Sequence, residues 1–276
     1  MENKKIAIIG CGNLGLSIVK GLLDNENINP SNITATKRNV DTISHLKESG
    51  VNVTDNNTEA IQNSDIIIVA LKPYNILEVL GGLKKEFNSK KHVLVSLATG
   101  VSISQIQTSI GIDLPIYRAM PNTATDVSES ITCLCSSSRN TQQTQEIKQI
   151  FDLIGSTTII NENLMDAATV LGACGIAYVL RFIRAMVQGG IQIGFDSKTA
   201  SLIVNQVVKG AAELLIERGN HPEHEIDKVT TPKGCTIKGL NEMEHNGFSS
   251  ALIKGIVSSF DEIDVSATSN NQSSNK

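Results

Sequence analysis

Tryptophan is absent from this chain of 276 residues, and aromatic residues together make up 3% of it. A core without large rings has to be filled by aliphatic and small side chains, which suits strands and helices packed closely on one another. An excess of either charge is missing too. With 24 Lys and Arg against 28 Asp and Glu, the net charge is −4, which leaves no concentrated basic face for nucleic acid or an anionic membrane. Cysteine is sparse, odd in number and scattered, at Cys11, Cys133, Cys135, Cys174 and Cys235. That excludes a disulfide framework and points to a reducing cytoplasm. Cys133 and Cys135 share one face of any strand they lie on, yet no second His or Cys pair stands at a ligand spacing, so no metal is expected. His221 and His224 flank Pro222 in a charged stretch that reads as an exposed turn. The opening MENKKIAIIG enters a short strand without the apolar stretch and small-residue site of a secretory leader. No later apolar run reads as long enough to span a bilayer.

What is present is an apolar share of 40%, enough for one large domain or two ordinary ones. Short β-rich runs at Lys5 to Ile9, Ile33 to Thr36, Val51 to Thr54, Ile66 to Leu71, Val93 to Leu97 and Ile116 to Met120 alternate with helical patterns. Such alternation predicts a parallel, doubly wound sheet. Runs at Ile131 to Cys135 and Thr157 to Ile160, flanking a helix from Thr141 to Leu153, complete it. From Leu164 to Phe260 no strand pattern remains, and apolar residues recur at helical spacing, as at Val170, Ala173, Ala177 and Leu180. This part is apolar on several faces and has to cover one of them with another subunit, so a dimer is expected. Ser266 to Lys276 is rich in Ser and Asn and reads as a disordered tail.

Between the first strand and a helix over Leu16 to Leu23 stand Gly10, Cys11, Gly12, Asn13, Leu14 and Gly15. This is GxGxxG in the setting dinucleotide binding requires: Gly10 for the tight turn, Gly12 for close approach of a pyrophosphate, Gly15 for helix-on-strand packing. The phosphates then sit on the helix N-terminus. The predicted class is therefore α/β, a Rossmann-type sheet domain over 1–162 followed by an all-helical dimerisation and substrate domain over 163–265, with the tail at 266–276. The second strand ends in Thr36, Lys37, Arg38 and Asn39, where an NAD-selective site offers a carboxylate. Lys37 and Arg38 suit a 2′-phosphate, which favours NADPH with NADH as the alternative; ordinary solvated charges are the competing explanation. Lys72 and Pro73 follow the strand that ends at Leu71, where ligands bind in open sheets, and Lys72 reads as a catalytic acid or as a cap on the crevice.

A Pro and Gly turn at Thr231, Pro232, Lys233 and Gly234 leads from Val229 and Thr230 into a helix that begins with Cys235 and Thr236. The amides of Gly234, Cys235 and Thr236, with the helix dipole, make a site for a carboxylate; a plain helix start is the equal alternative.

TPKGCTIKGL at 231–240, with GCGNLG at 10–15, VALKP at 69–73, SLATGVS at 96–102 and RAMPNTA at 118–124 in that order, resembles the pyrroline-5-carboxylate reductase family over nearly the whole chain. The resemblance implies an oxidoreductase of proline and amino-acid biosynthesis that carries NADPH or NADH and reduces L-1-pyrroline-5-carboxylate to L-proline, in keeping with the cytoplasmic setting read from the cysteines. It also implies a homodimer or a larger ring of dimers. Residue by residue, it implies Gly10, Gly12, Asn13, Leu14 and Gly15 at the pyrophosphate, and Arg38 beside Lys37 at the adenosine phosphate. Asn57 falls on the adenosine side. Ala70, Lys72 and Pro73 line the ribose and nicotinamide crevice, and Met120, Pro121 and Asn122 lie near the nicotinamide. Val229, Thr231, Gly234, Cys235 and Thr236 match the substrate loop, with Thr236 the catalytic group that hydrogen-bonds the ring nitrogen. Two positions depart from the family pattern: Ile176 stands for a proline and Lys233 for a glycine. A hydroxy-acid dehydrogenase of the same domain order would want a lysine within 164–186, which has none. A dinucleotide sensor without turnover is the rival from another class.

Overall fold

The computed structural model describes residues 4–26 and 28–273, with side chains as far as 263. Strands β1 (Ile6–Ile9), β2 (Ile33–Thr36), β3 (Asn52–Thr54), β4 (Ile66–Val69), β5 (Val93–Ser96), β6 (Ile116–Met120), β7 (Ser130–Ser136) and β8 (Gly155–Ile159) form one sheet, in the order β3-β2-β1-β4-β5-β6-β7-β8. Helices α1 (Asn13–Leu23), α2 (Asn57–Gln62), α3 (Pro73–Gly82), α4 (Ile103–Ile110) and α5 (Thr141–Asp152) connect them. Every residue of β1, β4, β5 and β6 is buried. Strands covered on both faces read as continuous apolar runs, which is why they were legible without strict alternation. One core lies on each face: Ile8, Ile18, Leu22, Ile33 and Phe151 on one, Ile9, Ile67, Ile76, Leu80 and Ile106 on the other.

Strands β1 to β6 are parallel, but β7 turns back antiparallel to β6. The link from Met120 to Ser130 contains only a 3₁₀ turn at Thr123–Val127, and a parallel crossover needs roughly a dozen residues or more. Helix α5 then provides such a crossover, and β8 runs parallel to β7.

By contacts, one compact unit takes in the chain up to Cys174 and again from Ile263, and the other is Gly175–Glu262. Residues past 162 stay with the sheet because their side chains are anchored there. Arg118 on β6 pairs with Glu162 at 3.1 Å, and Met165, in α6 (Met165–Ala168), belongs to the sheet core. A π-helical turn, Thr169–Cys174, follows.

The second unit is all helical: α7 (Gly175–Gln192), α8 (Ser197–Arg218), α9 (Pro222–Val229), α10 (Cys235–His245) and α11, which starts at Phe248. Asp196 caps α8 by accepting from the amides of Lys198 and Thr199, and Gly219 ends it at φ +63°. Its buried core is small, with Val187, Ala200 and Val204 packed by Ile183, Met186 and Val208. Leu180, Ile193, Leu202, Ile216 and Ile253 are among the large apolar side chains left exposed. The expectation that no apolar run has bilayer length is corrected here: Glu162–Gln192 and Ser197–Arg218 are long and apolar enough to cross a membrane, by length and composition. Arg181 and Arg184 in the first of these runs, and Lys209 in the second, interrupt the apolar sequence without ending the helix. Helix α11 continues to Ser273, into the stretch 266–276 expected as a disordered tail, since extending an established helix costs little per residue. Residues 274–276 of that expected tail lie outside the described residues.

Candidate active site

In the sheet unit, β1 lies between β2 and β4, so the connections leave in opposite directions and the carboxyl ends of β1 and β4 border a crevice. Gly10 turns the chain there at φ +85°, and a Cβ on it would meet the Leu71 side chain at 2.4 Å and the Ala70 carbonyl at 3.2 Å. Ala70 donates its N–H to the Ile9 carbonyl at 2.8 Å, so the GCGNLG and VALKP segments adjoin. The Gly10 N–H donates to Thr36 Oγ1 at 3.2 Å, and that hydroxyl donates to Asn57 Oδ1 at 2.6 Å. Asn57 thus buttresses the glycine turn through Thr36.

Gly15 packs the helix on the strand: its Cβ would lie 3.2 Å from Ile8 Cγ2. Gly12 is different, because a Cβ there would meet nothing within 4 Å. It is the N-cap of α1, which has neither a side-chain cap nor an acidic residue in its first turn. The amides of Asn13, Leu14 and Gly15 are therefore left for an outside acceptor, and the open space over Gly12 fits a pyrophosphate. At the end of β2, Lys37 is half-buried and Arg38 exposed, and neither takes part in an ion pair among the described residues. These unneutralised cations fit an adenosine 2′-phosphate. Cys11, beside them, is buried, and burial, against the opposing pull of Lys37, pushes its thiol up to about 11.

Lys72 is the exposed N-cap residue of α3, with Pro73 opening that helix. Met120 ends β6 with its sulfur 3.9 Å from Thr99 Oγ1. Pro121 and Asn122 follow, both buried. The Asn122 side chain accepts from the Ala124 N–H at 2.9 Å and donates to the Gly172 carbonyl at 3.0 Å. Arg118 meets Glu162 and, at 4.0 Å, Asp166.

In the helical unit, Thr231 to Gly234 form a turn closed by the Gly234 N–H on the Thr231 carbonyl at 2.9 Å. Lys233 holds the third place of that turn at φ +62°, a left-handed conformation that glycine adopts freely and other residues adopt at a cost. A Cβ on Gly234 would lie 2.6 Å from Thr231 Oγ1 and 2.9 Å from the Thr231 carbonyl oxygen, and the backbone contact favours glycine there. Gly234 is the N-cap of α10, again without a side-chain cap or an acidic first-turn residue. Thr231, Cys235 and Thr236 are exposed around it, and Val229 is the last residue of α9, also exposed. Ile176 is the second residue of α7. Tyr178 joins α7 to α11 through its hydroxyl, 2.6 Å from Ser259 Oγ, which is a packing role. His221 caps α9 by accepting from the Glu223 N–H at 3.3 Å, and no cluster able to hold a metal occurs among the described residues.

Sequence inspection missed the Thr36 hydroxyl bridge and the role of Glu162. The first was within reach, since a hydroxyl at the end of β2 beside a glycine turn has few other partners. The second was not, because Glu162 and Arg118 are 44 positions apart and no periodicity links them.

A doubly wound sheet with open helix amides and free cations at its switch point defines a dinucleotide-binding oxidoreductase. Residues 5–100 accordingly match the family model described as NADP oxidoreductase coenzyme F420-dependent. Residues 162–264 match the model for pyrroline-5-carboxylate reductase dimerisation. The chain belongs to the pyrroline-5-carboxylate reductase family. Pyrroline-5-carboxylate reductase 2 of Dictyostelium discoideum is 39% identical over 290 residues, covering 99% of this chain and 97% of that protein. Reductase 1 of the same organism is 44% identical over 269 residues, covering 93% of this chain; the chain spans 49% of that protein's length. Among solved structures, Plasmodium falciparum pyrroline carboxylate reductase with NADP bound is similar at a TM-score of 0.84 and 26% identity, covering 96% of this chain and 98% of that one. The dimerisation match accounts for the exposed apolar faces of the helical unit as subunit-contact surface.

Proposed function

We propose that this chain reduces L-1-pyrroline-5-carboxylate to L-proline with NADPH, the Thr231–Thr236 loop gripping the substrate and Thr236 orienting the ring nitrogen. The observation that carries this reading is a pair of glycine-capped helix starts. Gly12 of α1 and Gly234 of α10 each leave first-turn amides open, with no acidic residue in the first turn itself, one suited to a pyrophosphate and the other to a carboxylate. When bound, the cofactor supplies the hydride. Everything else falls to the chain.

A cyclic imine is readily protonated near neutral pH, so the chain needs no strong general acid, and the Thr236 hydroxyl accepts the N–H of the protonated ring. The Gly234 N–H is held by the Thr231 carbonyl, so the carboxylate anchors on the Cys235 and Thr236 amides, which makes proximity the main catalytic contribution. Lys37 and Arg38 favour NADPH, with NADH as the alternative. The five cysteines are all free thiols, in keeping with a reducing cytoplasm. The assembly is a homodimer through the helical unit, with a larger ring of dimers as the further step.

The test is NADPH and NADH oxidation by the purified protein with racemic pyrroline-5-carboxylate, read by absorbance and by proline formed. Thr236→Ala is expected to lower kcat/KM by about tenfold to a thousandfold, as for one positioned hydrogen bond. Full activity in that variant removes Thr236 from the mechanism, and cofactor binding without turnover favours a dinucleotide sensor.

A further inference from the structure

We infer that Asn122 is a positioning residue, which holds the π turn Thr169–Cys174 as a wall at the nicotinamide end of the cofactor crevice. The inference rests on the proposed dinucleotide function. The free cations Lys37 and Arg38 stand at the end of β2 and the open amides of α1 at the end of β1. With the strands ordered β2-β1-β4-β5-β6, a dinucleotide whose adenosine lies over β2 and whose pyrophosphate lies on α1 extends its other ring toward the ends of β4 to β6. Asn122 comes two residues after Met120, where β6 ends.

Its polar groups are directed into the protein. Asn122 is 6% exposed. Its N–H donates to Ser130 Oγ at 3.0 Å, its Oδ1 accepts from the Ala124 N–H at 2.9 Å, and its Nδ2 donates to the Gly172 carbonyl at 3.0 Å. One carboxamide therefore caps the loop after β6 and also pins the π turn. A second tether from the same strand fixes the upstream end of the segment: Arg118 pairs with Glu162, whose Oε1 also accepts the Ile103 N–H at 2.7 Å. A neutral hydrogen bond and an ion pair with a half-exposed Glu162 each add only modest net stability, and π turns are wider than α-helical ones and recur at functional sites. Two such ties on one short segment serve to set its place. Cys174, half-buried at the end of the π turn, reports on that place without any cofactor.

The test compares Asn122→Asp and Asn122→Ser with the wild type. Asp keeps the acceptor for the Ala124 N–H but turns an oxygen toward the Gly172 carbonyl; Ser keeps a capping oxygen and loses the Nδ2 donor without adding a charge, so it is the milder change. In the cofactor-free protein, maleimide labelling of Cys174, read by peptide mass mapping, is expected to quicken about fivefold or more while buried Cys11 and Cys135 stay unlabelled. NADPH affinity, read by fluorescence titration, is expected to stay within about threefold of wild type, while kcat falls about tenfold and the isotope effect with deuterated NADPH rises. A loss of NADPH affinity beyond about tenfold makes Asn122 a cofactor ligand and overturns the inference. Unchanged Cys174 labelling overturns it, as does labelling of Cys11 and Cys135 together with Cys174, which marks general unfolding. A wild type without turnover on pyrroline-5-carboxylate defeats the proposed function instead, and the Cys174 rates still decide whether the tether exists.

Discussion

Gly10 and Gly12 occupy one turn, yet different things demand them. Gly10 is required by the chain itself, through φ +85° and the Leu71 side chain. Nothing in the chain requires Gly12, whose Cβ would meet nothing within 4 Å, so its small size serves a ligand. Gly12→Ala is accordingly expected to keep its stability within about 1 kcal/mol, the scale of an N-cap change, while NADPH affinity falls about tenfold or more. Thermal melts and a fluorescence titration check the two halves. At the other end of the sheet His92 is buried, its Nδ1 accepting from the Asn88 N–H at 3.1 Å and its Nε2 without a partner among the described residues. Burial first, then Lys91, lowers its pKa below the ordinary 6.5, with Asp65 opposing. Protonation would also turn Nδ1 into a donor facing the Asn88 donor. The folded ring stays neutral where the unfolded one gains a proton, so stability is full above 6.5 and is lost as pH falls from there toward the depressed folded value. Melting at about pH 7.5 and about pH 5.5 is expected to show a smaller acid loss in His92→Gln than in the wild type.

Among elements, β1 to β6 were legible because buried parallel strands are continuous apolar runs between turn residues. The direction of β7 was not, since strand patterning has no polarity and only the length of the 121–129 link decides it. Strand β8 depends on its first residue. Gly155 sits at φ +139°, and a Cβ there would fall 2.0 Å from the Ser130 carbonyl oxygen and 2.4 Å from its nitrogen. Backbone cannot yield as a flexible side chain does. Gly155→Ala is therefore expected to lose about 3 kcal/mol or more, visible as a lower melting temperature, whereas Gly111→Ala, also at positive φ but with nothing within 4 Å, is expected to lose only about 1 kcal/mol.

At the scale of the whole molecule, the two units differ in how they bury apolar surface. The sheet unit closes two cores of its own, while among the described residues the helical unit buries a small core of Val187, Ala200 and Val204 and exposes Leu202 and Ile216 at 73% and 74%. Such a unit gains its stability from association, and its melting temperature is expected to rise with protein concentration. Leu202→Glu with Ile216→Glu is expected to weaken self-association about a hundredfold or more, from about 1.5–3 kcal/mol per apolar side chain no longer buried. Sedimentation velocity over a dilution series checks this, and an unchanged assembly would place the subunit contact on other faces.

The amino-acid sequence by itself determined the strand and helix classes, the GxGxxG turn, the cations after β2, the helical character of the second half and the likeness to one reductase family. Each of these is written in local periodicity or in a short motif. Only the tertiary structure decided the reversal at β7, the unit boundary at Cys174, the left-handed Lys233, the Thr36–Asn57 buttress and the ties from Arg118 and Asn122 to the 162–174 segment. Those features depend on residues far apart in sequence, or on a turn closing in one geometry among several, and pairing across such distances leaves no period along the chain.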